Sequence, residues 1–455
     1  MASVSAPRSL LPAVLLASFC TSRAAPAQDM QLRGTFAANV QGTDNVQFVP
    51  SNGVQGAAKP TPAFIVDLTA AGVFSYETPR WLHELQYTLN LASVIGIGQQ
   101  YNYTNRLEAR SKYDVSDLSV ANFAVRLGQG QLTFFPSFEP GKPVAAFAPG
   151  TFTFVTAELA EGYNRRLSER VNFNQALALN YFQPVDSDPP RPAVFGGNLQ
   201  MGLQYADDPD AFNVNFGSQL GVTQDIQCFN DAQCGAGRVC AVATNRCVVP
   251  ETTAAPLREQ IQAQINAPVL ASRLGVGYRR DFKNGFTGEL DLGVQQAMRL
   301  TDGGGQNWQP VGRLGVRYQE EDAALQLTLN HGAQLNIDIG GLVMATNADL
   351  VGTVPVDRQT RNFILTIQTG YQRGTPFDTF GVLLPGFHVA AADAALAYRP
   401  ERWLPNLQAG LRYQFRMQIT EAQAGVPVVP VNLIAMRHAV VFNVGFEFPE
   451  RKQGP

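Results

Sequence analysis

Four cysteines stand closest to chemistry in this sequence. Cys228, Cys234, Cys240 and Cys247 fall in CFNDAQCGAGRVC and the AVATNRC that follows it, at gaps of five, five and six residues. In an exported segment rich in Gly, Asn and Asp, that pattern implies two disulfides stapling a loop that cannot build a core of its own. Three pairings are open, and spacing does not choose among them. A zinc site would want C-x₂₋₄-C spacing and nearby histidine; both are missing, so no metal is expected.

Histidine is scarce: His83, His331, His388 and His438 are the only four. Hydrolytic chemistry needs histidine beside a serine or a carboxylate, and the Asp and Ser near these four show no repeated triad or dyad spacing. His83 abuts a turn signal, while His331 and His438 fall on otherwise apolar faces, positions that suit a local partner or an interface better than catalysis. No glycine-rich phosphate loop or metal-ligand cluster appears. The expectation is a protein that is not an enzyme and carries no cofactor.

The charged residues are better ordered. Arg106, Glu108, Arg110 and Lys112 alternate along one stretch, and Arg273, Arg279 and Asp281 along another. Glu289, Asp291, Arg299, Arg313, Arg317, Arg412 and Arg416 sit at alternate positions elsewhere, and Asn330 does so in AALQLTLNHGAQLNID. Two readings stay open for them. They solvate a polar wall and pair with one another, or they form a constriction that orients a polar or anionic solute, since rings of charge set pore selectivity. Asn and Gln beside Arg would also suit a sugar polymer.

Residues spaced by two share one face of a strand, so strands must position them. Leu325, Leu327, Leu329, Ala333, Leu335 and Ile337 oppose Gln326, Thr328, Asn330, Gln334 and Asn336. Leu407, Ala409, Leu411, Tyr413, Phe415, Met417 and Ile419 oppose Gln408, Arg412, Gln414, Arg416 and Gln418 in the same way. Such strands are about twice the usual 5 to 6 residues, long enough to cross hydrocarbon at a tilt. Tight turns at 77–80, 114–117, 167–170, 207–210, 282–285, 320–323 and 400–402 alternate with excursions at 41–62, 136–150, 226–268, 338–358 and 420–436. The polar face carries Gly, Asn, Gln and Arg rather than the Lys and Glu that coat a sheet facing bulk water. These features favour a single antiparallel transmembrane β-barrel over a soluble sandwich, because only a closed sheet satisfies its backbone in lipid. The strand count is 18 if FDTFGVLLP (377–385) is a short strand and 16 if it is dropped with a neighbour; either leaves an aqueous channel.

At the N-terminus, Arg8 precedes the apolar run Leu10 to Cys20, and Ala25-Pro26-Ala27 supplies small residues for cleavage, the layout of a secretory signal peptide over 1–27. Its removal takes Arg8 and Arg23 from the 34 basic side chains and none of the 37 acidic ones, moving the formal charge from −3 to −5. With no polybasic run, nucleic acid is excluded as a partner. Residues 28–455 read as one barrel domain, with 226–268 a Cys-rich external loop inserted into it.

The last strand pattern, HAVVFNVGFEF, alternates Val440, Phe442, Val444, Phe446 and Phe448 outward. Together with the export signal and the two-faced strands, it resembles the outer-membrane β-barrel proteins of Gram-negative bacteria. The resemblance implies an outer-membrane location in contact with lipid, assembly by the barrel-assembly machinery with Phe448 as its signal, and a channel for hydrophilic solutes. PERKQGP after Phe448 departs from that pattern. The size and the amide-rich lumen also resemble 18-stranded barrels that export polysaccharide, which would add that polymer or a periplasmic export protein as a partner. The alternative is a structural or adhesive surface protein that displays the Cys-rich loop on a closed barrel.

Overall fold

An alternation sustained over a dozen residues requires strands of that length, and the strands of this wall run from 12 to 18 residues. The structure is a computed structural model. It describes residues 29–46, 60–96, 100–132, 151–188, 193–223, 239–241, 246–248, 268–282, 284–300, 306–320, 323–336, 341–357, 362–376, 386–398, 400, 406–421 and 433–448. The first half of the wall is β1 (Asp29–Thr43), β2 (Ala63–Glu77), β3 (Trp81–Ile95), β4 (Gln100–Ser116), β5 (Ser119–Leu132), β6 (Thr151–Arg166), β7 (Val171–Asp188), β8 (Val194–Asp207) and β9 (Asp210–Thr223). Two short strands follow, β10 (Val239–Ala241) and β11 (Arg246–Val248). The second half is β12 (Val269–Asp281), β13 (Phe286–Arg299), β14 (Gln306–Glu320), β15 (Ala323–Asn336), β16 (Gly341–Pro355), β17 (Phe363–Pro376), β18 (Phe387–Tyr398), β19 (Leu407–Thr420) and β20 (Leu433–Phe448).

Every long strand pairs antiparallel with its neighbours; β9 pairs with β12, and β1 with β20, closing an 18-stranded barrel. The closed antiparallel β-barrel read from the sequence is therefore present, at the upper of its two strand counts. One excursion is corrected: 338–358 is not a loop, because β16 spans most of it and pairs along its length with β15 and β17. Its outward positions include Thr346, Ala348 and Gly352, so its two faces differ little in polarity and the alternation fades. The weak segment 377–385 lies outside the described residues, and the count of eighteen is reached without it.

The strand ends sort the connections. Turns 78–80, 117–118, 167–170, 208–209, 282–285, 321–322, 356–362 and 399–406 share one end of the barrel with the start of β1 and the end of β20, and 44–62, 133–150, 224–268 and 421–432 share the other. One turn explains its residue choice. Gly285 adopts φ +79°, and a Cβ there would stand 2.5 Å from the Gln319 carbonyl oxygen, so only glycine fits without strain.

Residues 1–27, Cys228, Cys234 and the terminal PERKQGP lie outside the described residues. Within the insertion, β10 and β11 pair so that Cys240 faces Cys247 across the ladder.

Candidate functional site

The inward faces of β7–β9 and β12–β17 converge on a cavity of about 650 Å³. Its lining is dominated by amides: Asn174, Asn198, Gln219, Gln295, Gln334 and Asn347 are among them. Arg273, Asp291, Arg313 and Asn330, expected from their spacing, line the same cavity. Here the wall is pinched: Cα atoms of β9 come within 8 Å of those of β15 and β16, although three and four strands, respectively, separate them in the sheet. Gly217 and Gly332, both in the lining, keep those facing walls short of side chains.

Several polar atoms in this cavity are shielded from solvent and have no hydrogen-bond partner among the described residues. They are Asn198 Oδ1, Gln219 Oε1, Arg273 Nε, Asp291 Oδ1 and Asn347 Oδ1. Asn347 is 2% exposed, and its Nδ2 donates to Gln334 Oε1 at 3.4 Å. An amide face of this kind offers donors and acceptors together.

Towards the short-turn end a second cavity of about 250 Å³ shares Arg313 and Gln326 with the first. Arg279, Glu289 and Arg317 line it. Arg313 pairs with Glu289 at 3.9 Å and Arg279 with Asp281 at 3.1 Å. Thr287 donates to Asp281 at 2.7 Å.

A separate charged cluster forms on the opposite arc of the wall. Glu108, its side chain 5% exposed, accepts from Arg106 at 3.0 Å, Arg110 at 2.5 Å and Arg126 at 2.8 Å. Arg126 also pairs with Glu158, and Arg33 with Glu84 at 3.4 Å. Arg106 and Arg110 are thus ion-paired through Glu108, which shares their spacing, whereas Arg126, which joins them from the next strand, was absent from the candidates. Arg412 donates to Asp393, which is buried and also accepts from Gln414. Arg416 shares the inward face of β19 with Arg412. Arg299 ends β13, and its side chain lies outside the described part. The expected residues therefore fall into separate groups along the lumen rather than one ring. Sequence reasoning read the lumen as amide-rich but singled out Asn330 alone among its amides, although the same spacing by two marks others, as in Asn213 and Asn215.

The histidines have local partners. His83 meets Ser111 and His331 meets Thr346, each at 2.8 Å, and His438 meets Tyr413 at 2.7 Å. His388 lies between Tyr371 at 2.7 Å and Glu421 at 2.8 Å.

The other face of the wall is apolar and exposed, with Leu32, Phe36, Leu274, Val276, Leu327 and Phe442 among its side chains. Phe448, the last residue of β20, lies opposite Gly34 and is 67% exposed. Near the long-loop end inward side chains also turn apolar: Ile65, Ala92 and Val94 pack with Val46, and Val343, Val389 and Phe387 form another buried cluster.

No protein-family model and no curated protein matches this chain. Among solved structures it is similar to the FrpB iron transporter of Neisseria meningitidis (F3-3 variant), at 9% identity and TM-score 0.46 over 93% of this chain and 82% of that one. It is similar to OccAB3 of Acinetobacter baumannii at 10% identity and TM-score 0.44, over 92% of this chain and 100% of that one. The likeness to OccK5 (OpdH) of Pseudomonas aeruginosa is 10% identity and TM-score 0.43, over 92% and 99%.

Proposed function

We propose that this chain is an outer-membrane channel for hydrophilic solutes, exported with a cleaved signal peptide and inserted by the barrel-assembly machinery with Phe448 as part of its signal. One observation carries the reading: a closed sheet presents aliphatic and aromatic side chains outward and gathers amides, arginines and carboxylates around an inner cavity. Exposed leucine and phenylalanine over a whole barrel circumference are stable against lipid and not against water. Buried polar atoms such as Arg273 Nε and Asn347 Oδ1 are then satisfied by what passes through.

The specific version is an export pore for polysaccharide. Amides on β7, β8, β9, β13, β15 and β16 offer paired donors and acceptors of the kind hydroxyl groups require, and Arg279, Arg313 and Arg412 are each paired with a carboxylate while Arg106 and Arg110 share Glu108, which suits a weakly charged polymer. A second reading, a blocked barrel that displays the Cys-rich loop on the cell surface, draws on the buried apolar side chains near the long loops.

Planar-bilayer recording separates the two. A channel gives stepwise ion conductance, which added neutral oligosaccharide blocks in a concentration-dependent way if the amide cavity binds sugar. Conductance without block removes the polysaccharide version, and a silent, correctly inserted protein removes the channel.

A further inference from the structure

Among the described residues, the seam between β14 and β15 is incomplete. The β14–β15 ladder runs for nine pairs, from Glu320↔Ala323 to Gly312↔His331, whereas β13–β14 and β15–β16 each run for thirteen. Beyond Gly312, residues 306–311 continue to pair with β13, and residues 332–336 continue to pair with β16. Among the described residues, these two stretches do not pair with each other.

Pro310 supplies the cause. The Ala333 N–H donates to Gln295 Oε1 on β13 at 3.0 Å, reaching past β14. The N–H and C=O of one strand residue point to the same side, so Ala333 faces β14, and its bonded partner two steps beyond Gly312↔His331 would be Pro310. Proline has no N–H to return. Towards β13, Pro310 stands opposite Val294 at a position that needs no such bond, and that ladder continues unbroken.

What fills the gap is apolar and small. Val311 is 4% exposed, and its Cβ lies 4.0 Å from where a Cβ on Gly332 would stand. It packs with Ala271, Ala297 and Met344, and Ala333 lies against them. The main cavity reaches the same place, since Ala271, Gln295, Gly332, Ala333 and Gln334 line it. On the outer side Trp308, 62% exposed, stands beside Pro310.

We propose that the β14–β15 seam is a lateral portal, through which the hydrocarbon chain of an amphiphilic solute passes between the lumen and the bilayer half nearest the long loops. A chain leaving there breaks no ladder hydrogen bond; it displaces Val311 from Gly332 and the Gln295 amide from Ala333. The polar part of such a solute stays among the amides while its tail enters lipid. The proposal rests on the membrane-channel reading and extends it from purely hydrophilic solutes to amphiphiles.

The test places p-benzoylphenylalanine at Gln334, inward-facing beside the open seam, or at Asn330, inward-facing behind the closed ladder, with the full protein in phosphatidylcholine vesicles. Illumination should attach lipid acyl chains to the first position several times more often than to the second. Pro310→Val, which restores the N–H, should lower that yield about five- to tenfold, the population change that one net hydrogen bond brings. Equal yields at the two positions, or a yield indifferent to Pro310→Val, overturn the portal. A second measurement needs no photoreactive group: amide hydrogen exchange over 332–336 should slow about as much in Pro310→Val, and unchanged exchange also overturns it. Ion conductance recorded from the same vesicles keeps the two readings apart. A conducting protein without lipid adducts refutes the portal alone; a non-conducting one refutes the channel.

Discussion

Leu329 and Asn330 are consecutive in β15, yet Leu329 is 39% exposed on the outer face while Asn330 lines the main cavity. Near mid-membrane, Leu329→Arg should cost about 2–4 kcal/mol, and Asn330→Arg much less, because only the first places a charge in hydrocarbon. Urea titrations of protein folded in vesicles measure both; equal costs would mean that the two faces are not lipid and water. Asp393 belongs to the same scale. Its side chain is 2% exposed and holds Arg412. Asp393→Ala should cost about 3 kcal/mol, since it removes a buried carboxylate that the Arg412 guanidinium pairs with, and adding Arg412→Met should recover most of the loss. A double-mutant cycle that shows no coupling would contradict the pairing.

At the scale of elements, the strand rather than the loop carries the fold. The barrel is held by ladders and an apolar outer face, and β10 and β11, the described strands of the Cys-rich insertion, form a separate sheet. Replacing Cys228, Cys234, Cys240 and Cys247 jointly by serine should therefore leave assembly intact and loosen the loop alone, because a disulfide between strands acts locally. The β10–β11 register, with Cys240 opposite Cys247, makes those two the pair to expect first, as directly opposed strand residues stand within bridging range. Thiol labelling of unreduced protein on whole cells checks it. Four free thiols would remove the disulfides, and failure of the serine variant to insert would make the loop part of the folding core.

For the whole molecule, closure is the property with consequences. A closed sheet leaves no edge to fray, so the protein should fractionate with outer membranes, begin near Gln28 and migrate faster unheated than boiled in detergent gels. Recovery from a periplasmic fraction without detergent would contradict this. Closure also explains why the start of β1 and the end of β20 lie at the short-turn end: an even number of antiparallel strands returns the wall to where it began.

Strand identity and face were legible from spacing by two wherever the faces differ in polarity, as in β15, β19 and β20, because a pleated strand separates alternate side chains however it is later packed. Where they differ little the signal failed, and β16 read as a loop. Arg106 and Arg110 were legible as inward residues, but Glu108 was not legible as the carboxylate that gathers them with Arg126, since Arg126 belongs to the next strand and register is set by pairing. The tertiary structure alone decided what depends on strands distant in sequence meeting around a closed wall. The pinch of β9 against β15 and β16, the amide cavity drawn from nine strands, and the ladder that Pro310 cuts short all arise from register and closure. The order of residues along any one strand does not encode them.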